Sequence, residues 1–361
     1  MTACWCSSSA WAHAMSTSIL WTTSANWSPV GPKTRSKGSM QQHAEPDRAY
    51  LDMLDAVTFQ PVFIMGDHRS GTTILYKILG ASGCFNIVTA YHIVNYRELL
   101  YNHVHGRVDA AKDELRQLFR AREVKDRVFD RMAVDPDLPE EYGFLFSTGY
   151  RQQLTAENLA TLVELCKKIQ VTSGPSKPLL LKNPWDYFLN FTYVKQAFPT
   201  SKFVFIHRNP VDVVSSQLHA IRSSLAEKNE YVALIGAWYR DLFHKPMRRQ
   251  MARALFSRRF NLGLRVVTRH VARGADYYLA HIADLPQDDV LSIRYEDLCA
   301  APDATIHAIL DWLHLDDGGA VDYAALVQKR EAPRQAEVAA NSRLIYRRMK
   351  PYFESFGYDV A

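Results

Sequence analysis

One stretch constrains this chain more than any other. The apolar run Pro61-Val62-Phe63-Ile64-Met65-Gly66 is followed by Asp67-His68-Arg69-Ser70-Gly71-Thr72-Thr73 and then by Ile74-Leu75-Tyr76-Lys77-Ile78-Leu79. A continuous apolar run that ends in glycine predicts a buried parallel strand, and the second apolar stretch predicts a helix. A strand, a glycine turn and a helix N-terminus together make an anion site, because the first helical N–H groups lack intrahelical partners and carry the positive end of the dipole. Gly71 lets the backbone approach an anion, and Ser70, Thr72 and Thr73 add hydroxyl donors. The glycine spacing is that of a nucleotide-binding P-loop, but Thr72 stands where the P-loop lysine would be, and Arg69 carries the cation instead.

A second stretch repeats the design. Ser201-Lys202-Phe203-Val204-Phe205-Ile206 predicts another buried strand, and His207-Arg208-Asn209-Pro210 leaves its carboxyl end. Asn209 suits a helix cap and Pro210 the first helical position, so a helix begins there and carries Ser216 about two turns on. In open parallel sheets, ligands bind outside the carboxyl ends of the strands. Arg208 and Ser216 can therefore grip a second phosphate, unless Arg208 pairs with Asp212 instead.

Two phosphate grips in series resemble the sulfotransferases that use 3′-phosphoadenosine 5′-phosphosulfate. Residues 61–73 are similar to that family's 5′-phosphosulfate loop, and 203–216 to its 3′-phosphate segment. Val290-Leu291-Ser292-Ile293-Arg294-Tyr295-Glu296-Asp297-Leu298 is similar to its late strand and Tyr-Glu-Asp-Leu. Order and spacing agree from about residue 58 onward. The resemblance implies an α/β three-layer sandwich with a central parallel sheet, related to P-loop NTPases and carrying helical insertions. It also implies in-line transfer of a sulfuryl group to an acceptor oxygen, or less readily a nitrogen. Arg69 then lies beside the leaving 5′-phosphate as a catalytic cation, with Ser70, Gly71, Thr72 and Thr73 holding that phosphate. Arg208 and Ser216 hold the 3′-phosphate, and no metal is required.

The general base is open at this point. Cytosolic eukaryotic members carry Lys-Thr-His after a central strand; here Pro178-Leu179-Leu180-Leu181 is followed by Lys182-Asn183-Pro184, so Pro184 occupies the histidine's place. A largely bacterial branch has an acidic residue about twenty positions beyond its Gly-Thr-Thr. His92, in Thr89-Ala90-Tyr91-His92-Ile93, occupies the matching place and titrates near the working pH, which makes it the expected base. Asp186, Glu98 and His68 are the other candidates. Lys182 and Asp186 are expected to line the acceptor site.

With 47% hydrophobic and 22% charged residues among 361, the composition is that of a globular protein. Cys4, Cys6, Cys84, Cys166 and Cys299 form no disulfide framework, and no Cys/His cluster has metal-ligand spacing, which suggests a reducing, cytoplasmic setting. Residues 1–43 are rich in Ser, Ala, Thr and Trp and hold Lys33, Arg35 and Lys37 without an acid. They read as a disordered or non-native extension, neither signal peptide nor membrane span, with Met1, Met15 or Met40 as the native start. Residues 44–361 then form one domain, whose charge is too near neutral to suggest nucleic acid.

Helices are expected over Val108–Glu123, Glu140–Gly149 and Thr155–Val171, the last capped by Thr155, where they would roof the acceptor pocket. A basic helical insertion spans about 240–275. From Arg240 to Arg273 it carries ten Lys or Arg residues against Asp241 alone, with Met247, Met251, Leu255, Phe256, Phe260, Leu262 and Leu264 interleaved. Such a segment can meet an anionic membrane or an acidic partner, or simply face solvent. Acceptors compatible with the whole are a small hydroxylated metabolite, phenol, sugar or lipid. The competing readings are a P-loop small-molecule kinase and a non-catalytic nucleotide-binding relative.

Overall fold

In the computed structural model, the described residues are 45–122, 124, 134–146, 152–235, 237–259, 261–319, 321–327 and 334–359. The expected N-terminal extension, the end of the 140–149 segment and Phe260 lie outside them.

The apolar runs form the sheet. Strands β1 (Pro61–Met65), β2 (Asn86–Ile87), β3 (Leu179–Lys182), β4 (Lys202–His207) and β5 (Val290–Arg294) pair in parallel in the order β2-β3-β1-β4-β5. Every residue of β1 and β3 is buried, as a strand covered on both faces requires. Alternation along each strand divides the core in two. Phe63, Met65, Leu179, Leu181, Phe203 and Phe205 face one layer, while Val62, Ile64, Leu180, Val204 and Ile206 face the other. Phe63 and Phe203 stack at 5.5 Å across neighbouring strands. Truncating such a ring to alanine costs about 3–5 kcal/mol.

The helices used below are α1 (Thr72–Ala81), α2 (Ala90–Val94), α3 (Leu159–Ser173), α4 (Pro184–Tyr187), α5 (Pro210–Ala226), α6 (Pro246–Leu255), α7 (Leu262–His281), α8 (Tyr295–Ala300), α9 (Pro302–Trp312) and α10 (Ser342–Phe356). On one face of the sheet, α3, α5, α7 and α10 contribute Leu162, Val214, Val267 and Ile345 to the phenylalanine layer. On the other, α1, α8 and α9 contribute Leu75, Leu298 and Ile306. The result is the expected three-layer sandwich. Because β1 and β4 are neighbours, the loops leaving their carboxyl ends emerge side by side.

Three local expectations change. Helix α3 starts at Leu159 rather than beside Thr155, because the Asn158 side chain accepts the Thr155 N–H at 2.8 Å and keeps 155–158 as a turn. Asp212 pairs with Arg334 at 2.6 Å, which leaves Arg208 to other partners. The basic stretch is not wholly an insertion: α7 buries Leu264, Val267, Val271 and Ala275 in the main core, and only its outer side carries Arg265, Arg269 and Arg273.

Candidate active site

The turn between β1 and α1 has the expected form, a strand, a glycine turn and a helix start. Gly71 sits immediately before α1 at φ 108°, a region costly for any residue with a Cβ. A Cβ there would also lie 2.4 Å from Cδ2 of Tyr295. Space and backbone therefore both require glycine. Arg69, a non-glycine residue, adopts φ 72°. Such strain persists only where the surroundings enforce it, and here the partners are visible. The Arg69 carbonyl accepts from the Arg208 guanidinium at 3.1 Å, and Arg69 Nε donates to Ser216 Oγ at 3.0 Å.

The two anion segments thus converge. Arg208, at the end of β4, also lies 4.4 Å from the centre of the Tyr295 ring, a cation–π contact. Asn209 begins α5 as expected, its side chain accepting the Val211 N–H at 3.0 Å. The Asn209 N–H in turn donates to Glu296 at 3.0 Å. The late Tyr-Glu pair therefore braces both loops, Tyr295 against Gly71 and Arg208, Glu296 against Asn209.

From the other side, β3 delivers Lys182. Only 1% of Lys182 is exposed, and its ammonium donates to Thr73 Oγ1 at 3.0 Å and to Glu141 at 2.8 Å. Ser70 Oγ is buried without a hydrogen-bond partner. That hydroxyl faces Gly66, where an added Cβ would lie 2.6 Å from it, on the inner side of the loop. A cavity under the loop, lined by Asp67, Ser70, Arg208 and Tyr352, holds only about 20 Å³. That is room for a water, so a nucleotide must lie on the outer side of the loop.

Residues 61–260 and 240–318 match the sulfotransferase family model. The chain belongs to the sulfotransferase family. The fold is also similar to sulfotransferase STF9 of Mycobacterium avium, at 15% identity over 87% of this chain and 81% of that one, with a TM-score of 0.57. Sulfotransferase STF1 of Mycobacterium tuberculosis H37Rv aligns at 15% identity over 85% of this chain and 80% of that one, with a TM-score of 0.53. No curated protein matches it.

Within this sulfotransferase, the base candidates fall in quite different settings. His92 is buried at the start of α2, where its Nδ1 accepts the Thr89 N–H at 3.1 Å and lies 3.1 Å from Thr89 Oγ1. It closes the helix start as a capping box does. Burial, with Lys112 nearby, lowers its pKa to about 4. Glu98 is exposed at the start of the helix Leu99–Val104.

Asp186, in α4, is fully buried and accepts four hydrogen bonds, from Tyr142 (2.5 Å), Asn183 (2.7 Å), Leu154 N–H (2.8 Å) and Asn190 (2.5 Å). Burial pushes its carboxyl above the usual range, against the pull of those donors. The arrangement ties Tyr142 and Leu154 to α4 and commits the carboxylate to four donors.

His68 lies in the anion turn itself. Its ring meets Trp185 edge-on at 4.8 Å, and its Nε2 is buried without a partner. Gln217 fixes the backbone at this point, donating to the His68 carbonyl at 2.9 Å. Burial lowers the His68 pKa, although Glu141 and Asp67 pull it upward. Its signal in the sequence was position alone, next to the loop arginine. Glu141 and Tyr295 had no local pattern marking them as neighbours of Lys182 and Gly71. Among the described residues, no group of three or more His, Cys, Asp or Glu side chains is placed to hold a metal ion.

Proposed function

We propose that this sulfotransferase moves the sulfuryl group of 3′-phosphoadenosine 5′-phosphosulfate onto a hydroxyl of a small-molecule, sugar or lipid acceptor, an amine being the less fitting nucleophile. The Arg69–Ser216 hydrogen bond carries the reading. It joins two anion grips into one cradle, which suits a nucleotide with phosphates at both ends of its ribose. A kinase would need a lysine at Thr72 to meet a triphosphate.

The 5′-phosphate would rest on the N-terminus of α1, with Thr72 and Thr73 as donors, while the expected Ser70 hydroxyl faces Gly66 behind the loop. The 3′-phosphate would meet Arg208 and Ser216. In the transfer step, the acceptor oxygen bonds to sulfur while the bond from sulfur to the bridging phosphate oxygen breaks. Negative charge grows on the leaving 5′-phosphate. Arg69 and Lys182 supply the preorganised positive field that lowers this barrier.

The acceptor's proton goes to His68. Its Nε2 lacks a partner, and it sits in the same turn as Arg69. His92, by contrast, has its Nδ1 committed to Thr89. Titration calorimetry with adenosine 3′,5′-bisphosphate and with ATP–Mg²⁺ tests the donor assignment. Binding of the bisphosphate without Mg²⁺ is expected; tight binding of ATP–Mg²⁺ alone would assign the chain to the kinase class.

A further inference from the structure

Helix α6 is a ten-residue helix, PMRRQMARAL, none of whose side chains is buried. Ala252 and Leu255 pack its inner side against the main core, so the helix is held by the body and its outward side stays exposed. Its charge is one-sided. Lys245 precedes it and Arg248, Arg249 and Arg253 lie within it, with no acid from Lys245 to Arg273. Lys245, Arg248 and Arg249 crowd the N-terminal end, where the helix dipole is already positive.

Methionines project among these cations. Met247 is 77% exposed and Met251 54%, one turn apart on the outward side. The next helix, α7, repeats the pattern with Leu262 at 44% and Val266 at 46%, next to the exposed Arg265 and Arg269. Scattered single apolar residues on a surface need no explanation; paired ones among arginines on consecutive helices do. Phe256 fixes the junction between the helices, since a Cβ on Gly263 would lie 2.8 Å from its ring. Beside that junction is an open cleft of about 200 Å³ lined by Arg253, Arg258, Leu225 and Phe256.

We propose that α6 and the start of α7 form a peripheral docking surface for an anionic lipid bilayer. A bilayer offers both things this surface lacks: negative headgroups for Arg248, Arg253, Arg265 and Arg269, and an apolar layer for Met247, Met251, Leu262 and Val266. An acidic protein would satisfy the arginines but not the methionines. Among the described residues no helix is long and apolar enough to cross a membrane, so contact would be from one side.

The test is sedimentation of the full chain with vesicles of phosphatidylcholine alone and of an equal mixture with phosphatidylglycerol. The chain should pellet with the mixed vesicles, weakly or not at all with the neutral ones, and added salt should release it. Arg248→Gln/Arg253→Gln should weaken binding roughly 10- to 30-fold, from about fivefold per cation near an anionic surface. Met247→Ser/Met251→Ser should weaken it roughly tenfold. Neither pair is buried, so melting temperature should hold, and any variant that melts early is replaced by the corresponding single substitutions. No binding to mixed vesicles, or equal binding to neutral ones, overturns the proposal. So does full loss in the arginine pair with no change in the methionine pair, which would show adsorption by charge alone, without the apolar insertion that the surface is read to make.

Discussion

Arg69 Nε donates to Ser216 Oγ at 3.0 Å, across 147 residues of chain. With the Arg208 guanidinium on the Arg69 carbonyl, this bond makes the loop after β1 and the helix after β4 parts of one cradle. Neither anion grip is independent of the other, and their energetics should be coupled.

Arg208→Ala should weaken adenosine 3′,5′-bisphosphate binding ten- to a hundredfold, the loss of a charge-assisted pair of roughly 1.5–3 kcal/mol. Arg69→Ala should lower turnover more than donor affinity, since charge on the leaving phosphate builds only in the transition state. Ser216→Ala combined with Arg208→Ala should be less than additive in calorimetry, because each already loosens the same loop. Strict additivity would show that Arg208 and Ser216 act on the 3′-phosphate independently, without passing through the Arg69 loop.

Gly71→Ala should be among the most damaging single substitutions. It meets the Tyr295 ring and a disfavoured φ at once, and a cost above about 2 kcal/mol is expected. Tyr295→Ala in the same chain should return only part of that loss in urea melts, because it relieves the clash and not the backbone. Full recovery would mean that the φ of 108° carries no strain.

His68→Ala should cut turnover roughly 10²–10⁴-fold with donor affinity little changed. His92→Ala should instead lose about 1 kcal/mol of stability or more, as a helix cap and a packed ring go together. An activated phenol, whose hydroxyl needs less help to ionise, should partly rescue the His68 variant and do nothing for the other. The reverse pattern, with turnover lost at His92 and rescued there, returns the base to the loop after β2.

Acid should weaken the fold before the carboxylates titrate. Burial lowers His92 to about 4 and His207 to about 3, both below the ordinary 6.5. The unfolded chain therefore binds protons that the folded one refuses. Stability is whole above about pH 6.5 and falls as the medium is acidified, through about pH 4 for His92 and about pH 3 for His207. Each histidine adds a slope of up to about 1.4 kcal/mol per pH unit. Urea melts between about pH 7.5 and about pH 4.5 should show this decline, and His92→Gln should flatten it. A flat profile in the parent chain would mean that the two rings are solvated.

Much of this was legible in the sequence because the signals are local. Val62–Met65, Phe203–Ile206 and Leu179–Leu181 announce buried strands by composition alone, and Arg69, Gly71, Arg208 and Ser216 stand at the ends of such runs. What the chain does not spell out is which polar groups are already satisfied. Asp186 looked like a reactive carboxylate, yet four donors surround it, two of them, Tyr142 and the Leu154 N–H, from distant segments. His92 looked like a base by spacing, yet its partner is Thr89, three residues back. His68 was the weaker candidate until its unpartnered Nε2 could be seen. Hydrogen-bond satisfaction is a property of space, and periodicity along a chain is blind to it.

The contact between Gly71 and Tyr295 has a consequence for assembly. The anion loop is made early in synthesis and its brace near the end, so the loop emerges without the ring that packs on it. Until β5 has joined the edge of β4 and brought α8 into place, Arg208 lacks its aromatic platform and Asn209 its carboxylate partner. A nascent or truncated chain that ends before Tyr295 should therefore leave the cradle unbraced. Competence to hold a nucleotide would then arrive only once Tyr295 and Glu296 have been made, long after the loop they brace.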